Sequence, residues 1–239
     1  MYEALTAIWN LDFLAGWGPQ LLAGFINSMY IAFGGYALGM LIGLLGASGK
    51  LYGGIVTRDL LEVYTTVVRA VPELVLILIL YYAGTEVLNA LLIRIGIGQV
   101  DISGLAAGIL VIGVVLGAYL TEVIRGAIKA VPSGEIEAGR SYGMGPFQIF
   151  SRIIFPAMLP HALPGLGNYW LTTTKDTALL AVVGFTELTL ATRQAAGGTK
   201  HYMTFFLTAG AIYLAVSIVS GLIIKVIEAR YGRGMVRHA

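Results

Sequence analysis

Arg69, Glu73, Glu122, Lys175 and Asp176 are ionisable side chains inside otherwise apolar stretches of this chain. A charge surrounded by hydrocarbon is costly unless it is paired or wet, so each raises a functional question. Arg69 and Glu73 are four residues apart, on one face of a helix. Two readings are open. They form an intrahelical pair beside Pro72, with Arg69 snorkelling to the nearer membrane surface. Alternatively, Glu73 faces a passing solute, where a carboxylate attracts a guanidinium or ammonium and disfavours an acid. Glu122 lies three residues before Arg125, which suits a local pair, a gate-side contact or a solute contact. Lys175 and Asp176 are adjacent and so point in different directions. They fall within the polar run Thr172–Thr177, the mark of a broken or water-facing helix. Lys175 can meet a solute carboxylate or an acid on a partner subunit.

Other chemistries find no support. There are no cysteines, so thiolate metal sites and cysteine nucleophiles are out. His161, His201 and His238 are scattered, without a HExxH-type pairing, so no metal site is expected. No mid-span histidine accompanies a GxS motif, which speaks against an intramembrane hydrolase. No GxxxxGK[ST] occurs, so the chain is not expected to hydrolyse ATP by itself. A net charge of +2 is too small to suggest nucleic acid as a partner.

These residues belong to a chain that water alone cannot solvate. Of its 239 residues, 57% are hydrophobic and only 12% charged, against roughly 25% charged in soluble domains. The mean hydropathy is +0.82. The expected fold is an all-α integral membrane bundle, residues 1–239 forming a single transmembrane domain. Apolar runs predict five spans, at about 21–46, 60–83, 103–124, 154–184 and 203–226, each near the length a bilayer requires. Pro160, Pro164, Gly165 and Gly167 predict an irregular start to the fourth. Gly35, Gly39 and Gly43, with Gly104/Gly108 and Gly113/Gly117, have the four-residue spacing that lets helices approach closely.

Basic residues set the orientation. Lys50 and Arg58, then Arg125, Lys129, Arg140 and Arg152, then Lys225, Arg230, Arg233 and Arg237 fall on one side; Arg94, Arg193 and Lys200 fall on the other. The C-terminus is therefore expected in the cytoplasm and the N-terminus outside, in the periplasm of a bacterial inner membrane. Residues 1–20 carry Trp9 and Trp17 and lack the basic n-region of a cleavable signal peptide; they suit an interfacial helix. Glu187, Arg193 and Lys200 are expected on the outer side, touching a soluble partner or simply solvated.

The connector between the third and fourth spans is long and has its own helical grammar. Ser133 can cap a helix whose first turn holds Glu135 and Glu137. Gly143 and Gly145 break it, and Pro146 starts another. The resulting knob offers Tyr142, Met144 and Phe147 to a partner.

Residues 131–156 of this knob resemble the EAA loop of the membrane subunits of ABC importers. Glu137-Ala138-Gly139, three residues, Gly143, nine residues, then Ile153-x-Phe155-Pro156 keep its spacing. Gly139 stands where the second alanine falls, and Phe155 where leucine does. Tyr64 to Arg69 with Pro72, Gly117 to Gly126, and Lys175-Asp176-Thr177-Ala178-Leu179 are similar to segments of polar amino-acid permeases. The likeness covers roughly residues 20–230. It is greatest to the Q-type subunits of histidine/lysine/arginine and opine importers, which have an acidic residue at the position of Glu73.

The resemblance implies a type I permease subunit with five transmembrane helices. It would pair with a second permease, two cytoplasmic ATPase subunits and a periplasmic amino-acid-binding protein. ATP and Mg would be bound by the ATPases, with no cofactor in this chain. Glu135, Glu137, Ala138, Gly139, Gly143, Met144 and Pro156 would form the coupling contact with the ATPase. Glu73, Arg69, Glu122, Lys175 and Asp176 would face a basic amino-acid substrate. A stand-alone ion-coupled secondary transporter is the alternative; the lack of an inverted repeat and the long two-helix loop weigh against it.

Overall fold

A computed structural model describes residues 11–96 and 103–231. Residues 1–10, half of the expected interfacial segment, lie outside the described residues, as do Arg233, Arg237 and His238; residues 11–20 are not a separate interfacial helix but run on into the first long helix. Among the described residues the chain is helical, with no strand. Five stretches are long and apolar enough to cross a membrane: Gly16–Tyr52, Glu73–Arg94, Gly104–Lys129, Pro146–Val183 and Tyr202–Tyr231.

The centre of the bundle is the pairing of α1 (Leu11–Tyr52) with α4 (Gly104–Lys129). Its interlock is reciprocal. Ile112, Leu116 and Leu120 of α4 sit over Gly35, Gly39 and Gly43 of α1, while Leu38 and Ile42 of α1 sit over Gly113 and Gly117 of α4. A Cβ at Gly43 would stand 2.7 Å from that of Leu120, and one at Gly117 would stand 2.6 Å from Ile42. Lipid tails are as apolar as these side chains, so such close contact, rather than exclusion of water, holds two membrane helices together. The glycine spacing is thus used for packing from both sides.

The second expected span is not one helix. Its predicted midpoint is a break at Val71-Pro72, between α2 (Ile55–Ala70) and α3 (Glu73–Arg94). The physical cause is Pro72, which pushes the residue before it out of helical geometry; Val71 has ψ 139°. Val68 and Leu76, on either side of the break, pack on Val115 and Ala118 in the middle of α4. The break therefore lies at mid-depth, and Arg69 and Glu73 end one helix and begin another rather than share a face.

The loop between α4 and α7 folds back on the bundle. In it, α5 (Ser133–Ser141) and α6 (Pro146–Ile149) are joined through Gly143, whose φ of 75° is the left-handed turn a side chain would oppose. Ser133 does not cap α5. It is the first helical residue, preceded by Pro132, and makes no capping bond. A widened π turn, Phe150–Ile154, leads into α7 (Phe155–Asp176). Ile149, Ile154 and Met158 pack with Ala47 of α1 and Ile124 and Ile128 of α4, fixing the loop to the span ends. The bundle end carrying this loop is here the loop end, and the opposite one the far end.

The predicted irregularity at Pro160 and Pro164 is absent: α7 runs through both prolines. The irregular geometry falls at its two ends instead, in the π turn before it and in a 3₁₀ stretch, Thr177–Val183, after it. At the far end, α8 (Leu188–Thr199) packs on α1 and on α9 (Tyr202–Tyr231). The flank of α9 is largely uncovered, with Leu207, Leu214, Leu222 and Val226 exposed.

Candidate functional site

The helix break and the polar run meet. Glu73 and Ile77 of α3, Val115 and Tyr119 of α4, and Tyr169, Thr172, Thr173 and Asp176 of α7 line one narrow cleft at mid-depth. Its free volume is about 20 Å³, room for roughly one water. Glu73 and Asp176 face each other across it, and their like charges act on one another. The ring centroids of Tyr119 and Tyr169 are 5.3 Å apart. Glu73 is also the first residue of α3, where the helix dipole favours a negative charge. The site combines two carboxylates, two phenols and an apolar floor, a set whose net charge favours a cation.

The threonines of the polar run solve their own hydrogen bonding. The Thr173 hydroxyl donates to the Tyr169 carbonyl (2.7 Å), Thr174 to Leu171 (2.9 Å) and Thr177 to Thr174 (2.9 Å). Such back-bonding loosens the local ladder, and the α-helix gives way to the 3₁₀ turn at Thr177. Lys175 is exposed and turned away from the cleft lining; Asp176 is part-buried and within it. Adjacent side chains do diverge.

Below the cleft, toward the loop end, lies an ion cluster centred on a residue that the sequence places only among the basic residues of one membrane side. Lys50, in the last turn of α1, has a side chain 2% exposed. Its ammonium donates to Glu62 Oε2 (2.7 Å), Thr65 Oγ1 (2.6 Å) and Glu122 Oε1 (2.7 Å), using all three protons. Arg125 forks onto the other oxygen of Glu122. Arg69 Nη1 approaches that same oxygen at 3.9 Å, without a hydrogen bond, and its side chain is 46% exposed. Glu122 is therefore shared by three cations, and among the described residues Arg69 pairs with it rather than with Glu73. Lys50, Glu62, Thr65 and Tyr119 were missed from sequence. The available signal was Asp59, just before the segment read as the second span, and Glu62 within it, together with Pro72. Both mark 55–70 as a separate, half-solvated helix.

At the loop end the knob is open. Tyr142 and Phe147 are 87% and 80% exposed. Glu135, Glu137, Ala138 and Pro156 are exposed, Met144 is half-buried, and Gly139 is buried against Ile153. At the far end the expectation for Glu187 is corrected. It is fully buried and touches neither solvent nor a surface. Its carboxylate caps α8, accepting from the amides of Thr189 (2.8 Å) and Leu190 (2.7 Å) and from the Tyr213 hydroxyl (3.1 Å). The physical reason is the orphan amides of a buried helix start, which need an acceptor. Arg193 and Lys200 are exposed, as a surface role requires.

A bundle of five apolar helices, one of them broken beside embedded charges, with an exposed helical knob at one end, defines a membrane transport subunit. Residues 35–233 match the family of binding-protein-dependent transport system inner membrane components, and the chain belongs to that family. It is 40% identical over 223 residues to the octopine transport system permease protein of Rhizobium radiobacter, covering 93% of this chain and 94% of that one. It is 39% identical over 224 residues to the histidine/lysine/arginine/ornithine transport system permease protein of Escherichia coli (strain K12), covering 94% and 98%. Its structure is similar to a chain of an amino acid ABC transporter crystallised with histidines. The TM-score is 0.76 at 27% identity, over 91% of this chain and 96% of that one. The fold is that of a type I ABC importer permease.

Proposed function

We propose that this chain carries a cationic amino acid, or an opine-like derivative of one, across the bacterial inner membrane as one permease of an ATP-driven importer. It has no catalytic role of its own. Two ATPase subunits at the loop end supply the work, and a second permease completes the path. A periplasmic binding protein delivers the cargo. The loop end and C-terminus face the cytoplasm, as the distribution of Lys and Arg supports. The exposed knob of α5 and α6, through Glu135, Glu137, Ala138, Gly143 and Pro156, docks on the ATPase, with Gly139 and Met144 joining it to the bundle.

One observation carries the cargo class: Glu73 and Asp176 face each other in a tyrosine-lined cleft beside a mid-depth helix break. Two like charges lining one cleft favour a counter-charge. A guanidinium or ammonium supplies it, and an acidic amino acid is repelled. The names of the similar permeases, which specify octopine and histidine/lysine/arginine/ornithine transport, favour the same class. Lys175, exposed and turned away from the cleft, suits an acid of the second permease rather than the cargo carboxylate. The test is uptake into proteoliposomes holding the complete importer. Glu73→Gln should lower arginine and lysine uptake at least about tenfold, the loss of one charge-assisted contact. Unchanged uptake of both would remove Glu73 from the path.

A further inference from the structure

The outward face of α7 is polar. His161, Pro164, Asn168 and Lys175 are exposed, and Thr172 is half-buried. At about 100° per residue, the five fall within about 80° of one another and form one stripe. Pro164 has no N–H to offer the Pro160 carbonyl, so the stripe also carries a backbone acceptor without its usual donor. Among the described residues, the side chains of His161, Asn168, Thr172 and Lys175 are neither hydrogen-bonded nor ion-paired. The flank of α9 is of the opposite kind, with Leu207, Leu214 and Leu222 turned outward. Hydrocarbon suits that flank and not the stripe, because lipid leaves polar side chains and freed carbonyls unsatisfied. The stripe is continuous with the cleft: Thr172 belongs to both, and Lys175 is the neighbour of Asp176. From there to His161 is about 21 Å of helix at 1.5 Å per residue. That run leads toward the loop end, where the π turn opens α7. Asp176 is the only carboxylate that α7 carries.

Resting on the cleft as the cargo site, we propose that this face of α7 is the wet wall of the exit route, along which a cationic amino acid released from Glu73 and Asp176 passes to the loop end. Water satisfies the stripe between passages. Thr172, Asn168, the Pro160 carbonyl and His161 then exchange that water for the polar groups of the cargo, one after another. Lys175, paired with an acid of the second permease, closes the stripe at its upper end. The division of labour lies in the carboxylates. Two acids hold the cation in the cleft, and below them no acid of α7 holds it again. Passage needs contacts that are several and individually weak.

The chain has no cysteine, so one introduced thiol is a clean reporter within the complete importer. His161→Cys and Asn168→Cys are treated with a cationic, membrane-impermeant methanethiosulfonate in nucleotide-free membrane vesicles of either orientation. Modification is read from the mass of this chain. From the loop side both should react at least about tenfold faster than Leu214→Cys and Leu222→Cys, because a thiol in hydrocarbon stays protonated and unreactive. An Asn168→Cys as slow as Leu214→Cys overturns the proposal, since lipid or dry contact with the second permease then covers the stripe. Faster reaction from the far side overturns it too. Asn168→Asp adds the acid that the face lacks and should lower the maximal rate of arginine uptake about three- to tenfold, while Asn168→Ser stays within about twofold of the parent. An unchanged rate in Asn168→Asp, or an equal loss in both variants, removes cargo from this face. If Glu73→Gln leaves arginine uptake unchanged, the cargo cleft itself fails, whatever the labelling shows. If Glu73→Gln lowers uptake and the stripe stays unlabelled, only the exit route fails.

Discussion

The two ends of α1 are pinned in different ways. At the far end, Gly24 and Ser28 press against the start of α8. A Cβ on Gly24 would stand 2.9 Å from the Glu187 carbonyl, Ser28 Oγ accepts from the Leu188 amide at 3.1 Å, and Asn27 donates to the Thr186 carbonyl at 2.9 Å. Every polar atom there is directional and satisfied by a neutral partner around one carboxylate. At the loop end, Lys50 holds α2 and α4 through charge, and one cation, Arg69, is only loosely engaged. A cap made of backbone amides has one good arrangement. A cluster with three cations on one carboxylate has several of similar energy. The first suits a fixed joint and the second a joint that rearranges.

The largest effect should come from breaking the ionic joint at its centre. Removing one partner of a buried pair leaves the other uncompensated, at about 3–5 kcal/mol. Lys50→Met should fall near the lower end, about 3 kcal/mol, because Arg125 still holds Glu122. A drop of several degrees in the thermal midpoint of the solubilised complex checks it. The double variant K50M/E122M should recover part of the loss, as replacing both charges with apolar groups often does. A double variant less stable than K50M alone would mean that Glu122 holds the joint chiefly through Arg125.

The neutral joint should respond to pH instead. Burial pushes the Glu187 carboxyl up from its ordinary 4.5, only partly offset by the Thr189 and Leu190 amides and the Tyr213 hydroxyl. A raised folded value means that the folded state holds its proton longer than the unfolded chain does. Stability is then highest below about pH 4.5, falls as pH rises toward the raised value, and is level above it. Glu187→Gln should flatten this slope while costing roughly 1–2 kcal/mol, since an amide oxygen replaces only one of two acceptors. Thermal midpoints of both proteins between pH 4 and 8 separate the two effects. A wild-type midpoint that rises over the window in which Glu187 deprotonates, with the same slope in the variant, contradicts the assignment.

The contrast between the joints bears on what was legible in sequence. Membrane class, the number of spans and the glycine interlock follow from composition and spacing, because lipid leaves few alternatives to an apolar helix. The loop was legible because its glycines and Pro146 punctuate a helical pattern. What failed was the path of 47–83, where 60–83 was read as one apolar span although Glu62 and Pro72 announce a separate helix and a break. With that break missed, Arg69 and Glu73 read as residues of one helix face, and Lys50 read only as one of the basic residues of a connector. Its true partners, Glu62, Thr65 and Glu122, lie 12 to 72 residues away. Pairing over such distances is set by tertiary packing that one sequence does not display. Glu187 failed for the same reason: a carboxylate in a connector reads as solvated until the helix start above it is known to be buried.

The smallest effect sharpens the comparison most. Glu62 makes an equally short contact with Lys50, 2.7 Å, but its side chain is 65% exposed against 18% for Glu122. Distance alone would rank the two carboxylates as equals. Water and salt screen the exposed one, and an exposed pair contributes about 0.2–1 kcal/mol. Glu62→Gln should therefore shift the thermal midpoint by no more than about a degree or two, and the shift should vanish at about 1 M salt, where the Debye length is about 3 Å. Glu122→Gln should cost several times more and keep most of its effect in salt. If the two carboxylates prove equal, the joint is held at its solvated rim rather than at its buried centre. Lys50→Met would then lose its claim to be the most damaging change.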